Sequence, residues 1–129
     1  MSIPVELSAL VERVEEYGPI AFLITVGGNA VPHVVSVTVT WDRADATGLL
    51  VGAGRHTSSN IAVNPGVTLL WPPGTGRTYG LIVDGQARLV DVDGEAKLAI
   101  SPSAAVLHRT PAGDPDSPSC ITVLARAEV

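Results

Sequence analysis

Two stretches set the terms for this chain: VPHVVSVTVTW, residues 31–41, and YGLIVDGQARLV, residues 79–90. Each reads apolar at most positions, and the first is rich in β-branched Val and Thr, which favour strands. A strand with one wet face should alternate apolar and polar residues. Near-continuous apolar content predicts that both faces are covered, one by the core and the other by a second copy of the chain. A homodimer is therefore expected.

The rest of the chain follows suit. Leu7, Leu10, Val11 and Val14 recur at helical spacing with glutamates on the opposite face, predicting a helix over residues 5 to about 17 that Gly18-Pro19 ends. Strands are predicted at about 20–27, 31–41, 47–53, 66–72, 78–91, 95–101, 104–109 and 119–127. Gly27-Gly28-Asn29, Asp42 to Asp45 with Thr47-Gly48, and Asp93-Gly94 supply hairpin turns. PAGDPDSP, residues 111–118, predicts a loose, mobile loop. A short helix over 57–64 fits Thr57 or Ser58 as its cap and Asn64-Pro65-Gly66 as its stop. Strands joined by hairpins predict a single antiparallel barrel or sandwich domain over residues 1–129 rather than a doubly wound sheet.

Charge and composition narrow the function. The formal net charge is −5, which argues against a nucleic-acid surface, since that would need clustered lysine and arginine. Only Arg55-His56 concentrates basic groups, so a bound anion is expected to be small. The apolar run at 20–26 is too short to span a bilayer, which takes about 20 residues, so no membrane partner is expected. The acidic N-terminal stretch is unlike a signal peptide, and the lone Cys120 allows no internal disulfide. A cytoplasmic protein is the expectation.

Several motifs fail on their own chemistry. WPPGTGRT, residues 71–78, has Trp71 where a phosphate-binding P-loop needs glycine and Arg77 where it needs lysine, and a strand follows instead of a helix. GAGRHT breaks the dinucleotide-binding glycine pattern at Thr57. DVDGE starts like a calcium loop but lacks the later ligands. His33, His56 and His108 have no metal-ligand spacing, so no metal is expected, and no hydrolase elbow is present.

One cluster remains. Arg55, His56, Thr57, Ser58, Ser59 and Asn60 follow one apolar run and precede another. All can donate side-chain hydrogen bonds, as a phosphate monoester requires. On the residues alone, a capped helix with Arg55 and His56 in solvent is an equal reading.

The order of parts resembles the FMN-binding split-barrel family, the pyridoxamine 5'-phosphate oxidase-like proteins and their deazaflavin-using relatives. The resemblance covers about residues 18–92. It rests on Pro32-His33-Val34-Val35 entering a long strand, on Asn60-Ile61 and Asn64-Pro65 leading into Val67-Thr68-Leu69-Leu70, and on Val83-Asp84-Gly85-Gln86-Ala87. It implies a mainly β fold, a six-stranded antiparallel split β-barrel with a short N-terminal helix and one short helix after the third strand. It also implies a dimer with the cofactor, FMN or alternatively F420, in a groove between subunits. Val35, Ser36 and Val37 would run beside the ring, and Arg55, His56, Thr57, Ser58 and Asn60 would hold the phosphate. Trp71 would reach the groove or serve as a core aromatic. Many members carry a basic residue two or three positions before the asparagine, where this chain has Thr57 and Ser58. Charge then rests on Arg55 and His56, with Arg77 or Arg88 as possible supplements.

The resemblance thus implies an oxidoreductase acting on a small-molecule substrate, with redox chemistry supplied by the cofactor and no catalytic residue assigned. The alternative is a non-catalytic split-barrel protein holding flavin, haem or another small ligand, with His33 and His108 as candidate haem ligands. A purely structural dimer is a third reading.

Overall fold

The structure, a computed structural model, describes residues 2–42 and 48–110. The chain enters as strand β1 (Ser2–Pro4), a 3-10 turn at Leu7–Ala9 and helix α1 (Leu10–Tyr17). Strands β2 (Ile20–Val26), β3 (Pro32–Thr38), β4 (Thr40–Trp41) and β5 (Leu49–Gly52) follow. Helix α2 (Arg55–Val63) then leads to β6 (Gly66–Trp71), β7 (Gly80–Val92) and β8 (Glu95–His108).

One antiparallel sheet runs in the order β3-β2-β6-β7-β8-β5-β4, with β1 also paired to β8. β3 and β4 stand at opposite ends of that order, yet only Val39 separates them in the chain. A flat sheet cannot meet both pairings, so the sheet must curl until its ends approach, as a barrel does. Closure is partial: β3 pairs with β2, and the two residues of β4 are what reaches β5. The barrel is split between β3 and β5. The expected six-stranded antiparallel split barrel matches β2, β3, β5, β6, β7 and β8, and the short β1 and β4 add to the count.

The core draws one fully buried leucine from each of five strands: Leu23, Leu49, Leu69, Leu81 and Leu98. Leu10 and Val14 of α1 join this cluster. Trp71 lies beside them and donates its indole N–H to the Gly18 carbonyl at 2.9 Å, which ties the end of α1 to the sheet. The outward face is apolar along β2, and β3 adds Val34 to it beside the polar Ser36 and Thr38. Phe22 pairs with Ser36 and Ile24 with Val34, and Ile20, Phe22 and Val34 are 58%, 40% and 55% exposed.

Besides the unexpected β1, the structure departs from the sequence expectations at four places. The 31–41 strand is interrupted at buried Val39: its N–H bonds the Pro19 carbonyl at 2.7 Å, next in register after Thr38–Ile20, but Pro19 has no N–H to complete the pair. The segments 95–101 and 104–109 are one strand, because Pro102 sits at a bulge instead of ending the ladder. Pro102 pairs with Gly85 and Ala104 with Asp84, leaving Ser103 extra. The N-terminal helix is shorter than 5–17 and opens with the 3-10 turn. Helix α2 starts at Arg55, not Thr57, with Gly54 as its N-cap and no side-chain cap bond. The loop at 111–118, the strand at 119–127 and most of the 42–47 turn lie outside the described residues; across that turn, Asp42 N–H bonds the Gly48 carbonyl at 2.9 Å.

Helix α2 is moored by its own polar residues. Asn60 donates from Nδ2 to the buried Thr25 hydroxyl at 3.0 Å. On the other side its Oδ1 lies where a Cβ on Gly27 would come within 2.2 Å. Asn60→Ala leaves the Thr25 hydroxyl buried without this partner and should lower stability by about 1–3 kcal/mol. Gly85→Ala drives a Cβ to 2.6 Å from the Ser101 carbonyl oxygen across the bulge. A cost of about 1–3 kcal/mol is expected there too. Urea unfolding checks both, with the midpoint falling and the slope unchanged.

Candidate functional site

The split in the barrel is where the site forms. Val51 carries β5 into the core, Gly52 ends the strand, and Ala53-Gly54 turn the chain into α2. Across the gap stands β3, an edge strand with one side paired to β2. Between them lies a cavity of about 690 Å³. β3 contributes His33 and Val35 to Thr38, the β5–α2 junction contributes Gly52 to Thr57, and β8 contributes Lys97.

The start of α2 is open to ligands. Ser58 N–H is the first of the helix to bond back, to the Gly54 carbonyl at 2.9 Å. The N–H groups of Arg55, His56 and Thr57 precede it and have no acceptor within the helix. The helix dipole favours an anion at this end. Two cations, Arg55 and Lys97, line the same cavity, and no carboxylate does.

Of the residues picked from sequence, Val35, Ser36, Val37, Arg55, His56 and Thr57 meet around this one cavity. Arg55 and His56 are exposed, and Thr57 is 3% exposed because it sits on the core side of α2. Ser58 is half-buried and outside the lining. Asn60 is engaged with Thr25, as described above, and borders a second cavity of about 250 Å³ with Asn29, Val31, Pro32 and Ser59. Trp71 is in the core, bonded to Gly18, and away from the lining. Arg77 pairs with Glu16 at 2.8 Å and covers the Tyr17 ring, so within one chain it belongs to α1. Arg88 lies on an exposed position of β7, outside the lining.

His33 and His56 form the wall shared by the two cavities. Their rings meet edge to face, with centroids 5.6 Å apart and planes at 88°. His33 Nδ1 is buried without a hydrogen-bond partner. Sequence reasoning missed Lys97 and the Gly52–Gly54 backbone. Lys97 reaches the site only through strand register, opposite Gly52, and no local pattern signals that.

Among the described residues no helix is long and apolar enough to cross a membrane, and no group of three or more potential metal ligands is found.

No family model matches the chain. Two relatives do: the uncharacterized proteins Mb0449c of Mycobacterium bovis and MT0457 of Mycobacterium tuberculosis. Each is 38% identical over 125 residues, covering 89% of this chain and 86% of the relative. Among solved structures, a Listeria innocua protein named for pyridoxamine 5'-phosphate oxidase is similar with a TM-score of 0.63 and 19% identity, over 81% of this chain and 100% of its own. The haem storage protein HutZ from Vibrio cholerae is similar with a TM-score of 0.57 and 15% identity, over 81% and 96%. An F420 reductase is similar with a TM-score of 0.56 and 18% identity, over 69% and 90%. The chain belongs to the family of the mycobacterial proteins Mb0449c and MT0457, and its fold is the pyridoxamine 5'-phosphate oxidase-like split barrel.

Proposed function

We propose that this chain binds a flavin-type cofactor, FMN or the deazaflavin F420, in the cavity between β3 and the start of α2, and acts as an oxidoreductase. One observation carries the reading: a cavity of about 690 Å³ with Arg55 and Lys97 in its wall and no carboxylate. A phosphate monoester has close to two negative charges and needs several donors. Arg55 offers a guanidinium fork, and the first N–H groups of α2 add backbone donors. The free edge of β3 at Val35, Ser36 and Val37 offers backbone donors and acceptors in alternation, which suits the rim of a flat heteroaromatic ring. When bound, the flavin supplies hydride transfer. The chain's part is to hold the phosphate, align the ring along β3 and exclude water from one face.

The proposal includes a homodimer. The exposed apolar side chains of Ile20, Phe22 and Val34 support it, because a second copy laid on that face would remove them from water.

His33 favours a second reading. Its Nδ1 is buried without a partner in the cavity wall, and the similar fold of HutZ belongs to a haem storage protein. Under that reading the chain holds haem or another ligand without turnover.

Titrating the purified protein with FMN, F420 and haemin separates the two. Quenching of flavin or deazaflavin fluorescence supports the first reading. Uptake of haemin alone supports the second and overturns the first. With FMN, Arg55→Ala is expected to weaken binding by about 1.5–3 kcal/mol, the range for a hydrogen bond to a charged group. Riboflavin, which lacks the phosphate, should bind this variant as it binds the parent. Equal loss for both would remove Arg55 from the phosphate.

A further inference from the structure

Lys97 is the only lysine in the chain. The long-range β5–β8 ladder places it opposite Gly52, the last residue of β5, and opposed residues of an antiparallel pair share a face. Gly52 brings no side chain, and a Cβ there would meet nothing within 4 Å. Lys97 lines the same cavity as Gly54 and Arg55. Of the other cations, Arg13 and Arg77 are both paired with Glu16, and Arg109 lies over the Tyr79 ring.

We propose that Lys97 and Arg55 form a two-cation seat for a phosphoryl group at the start of α2, with Glu95 as the counter-ion that Lys97 leaves when the anion binds. Lys97 Nζ lies 3.6 Å from Glu95 Oε2, and Glu95 is 75% exposed. An exposed pair at that distance is weak. A phosphoryl group offers more charge and three acceptor oxygens, and here it also gains the N–H groups of α2. Lys97 thus supplies from a distant strand the second positive charge that Thr57 and Ser58 do not. The seat takes phosphate esters as a class; that the ester is a flavin's rests on the reading above.

A lone lysine makes the test direct. The intact protein is acetylated with a water-soluble reagent, and Lys97 modification is followed by mass spectrometry. Inorganic phosphate or FMN should slow it by about fivefold or more, while sodium chloride at equal ionic strength should not. Lys97→Met should weaken binding of phosphate and FMN by about tenfold, the scale of one charge-assisted bond, and leave riboflavin unaffected. Glu95→Gln should tighten both anions by about two- to threefold. Unchanged acetylation under saturating phosphate, or a Lys97→Met variant that binds phosphate like the parent, overturns the seat. Protection by phosphate in a protein that takes up no flavin supports the seat and removes the flavin reading. Flavin binding with Lys97 unprotected removes the seat and keeps the flavin reading.

Discussion

The segment from Pro32 to Trp41 serves both edges of one sheet, and the site follows from that demand. Its first part pairs with β2 and its last two residues pair with β5. Between them Val39 turns its N–H toward Pro19 and its side chain into the core. In the register that sets Thr40 opposite Leu50, only Val39 and Thr38 could still find partners, Val51 and Gly52, before β5 gives way to α2. The rest of β3 therefore keeps one edge unpaired, facing the start of α2. Unpaired strand edges in a fold this size invite association with another chain. Here the edge borders a cavity, so its exposed donors and acceptors are available to a small molecule.

Much of the architecture was legible because hydrophobic period and turn chemistry agree. Asp93-Gly94 sits between strands that register Val92 opposite Glu95, as a two-residue hairpin requires. What misled was local chemistry overruled at a distance. Pro102 reads as a stop, yet opposite Gly85 its missing N–H fits a bulge, so two expected strands are one. Thr57 and Ser58 read as caps because hydroxyls favour that position. The backbone starts the helix two residues earlier, at Arg55 with Gly54 as its cap, which puts Thr57 in the first turn, on the buried face.

The polar cluster that drew attention in the sequence divides its labour. Asn60 is a mooring, bonded to Thr25 and packed against Gly27. Thr57 and Ile61 face the core. Arg55 and His56 are left to face the cavity. A run of adjacent donors could not reveal this, because helical geometry sends neighbours about 100° apart and the start of the helix was off by two residues. Lys97 was invisible for the opposite reason: strand register, not chain proximity, brings it to Gly52.

The acidic balance of the chain bears on what the cavity can select. With a net charge of −5, the molecule as a whole repels polyanions. Screening confines that repulsion to about 8 Å at physiological ionic strength. A small anion inside the cavity is closer than this to the cations that line it, whereas a nucleic acid would have to lie across the acidic surface as well. The local field therefore favours compact anionic esters over polymers. Arg55 is exposed in a single chain, and water weakens its pull. A second copy laid on the β2–β3 face would lower the polarity beside β3 and strengthen the same contacts without adding a residue. Under the proposed reading, anion affinity and self-association then draw on one strand, whose outward side chains meet the partner while its edge meets the ligand.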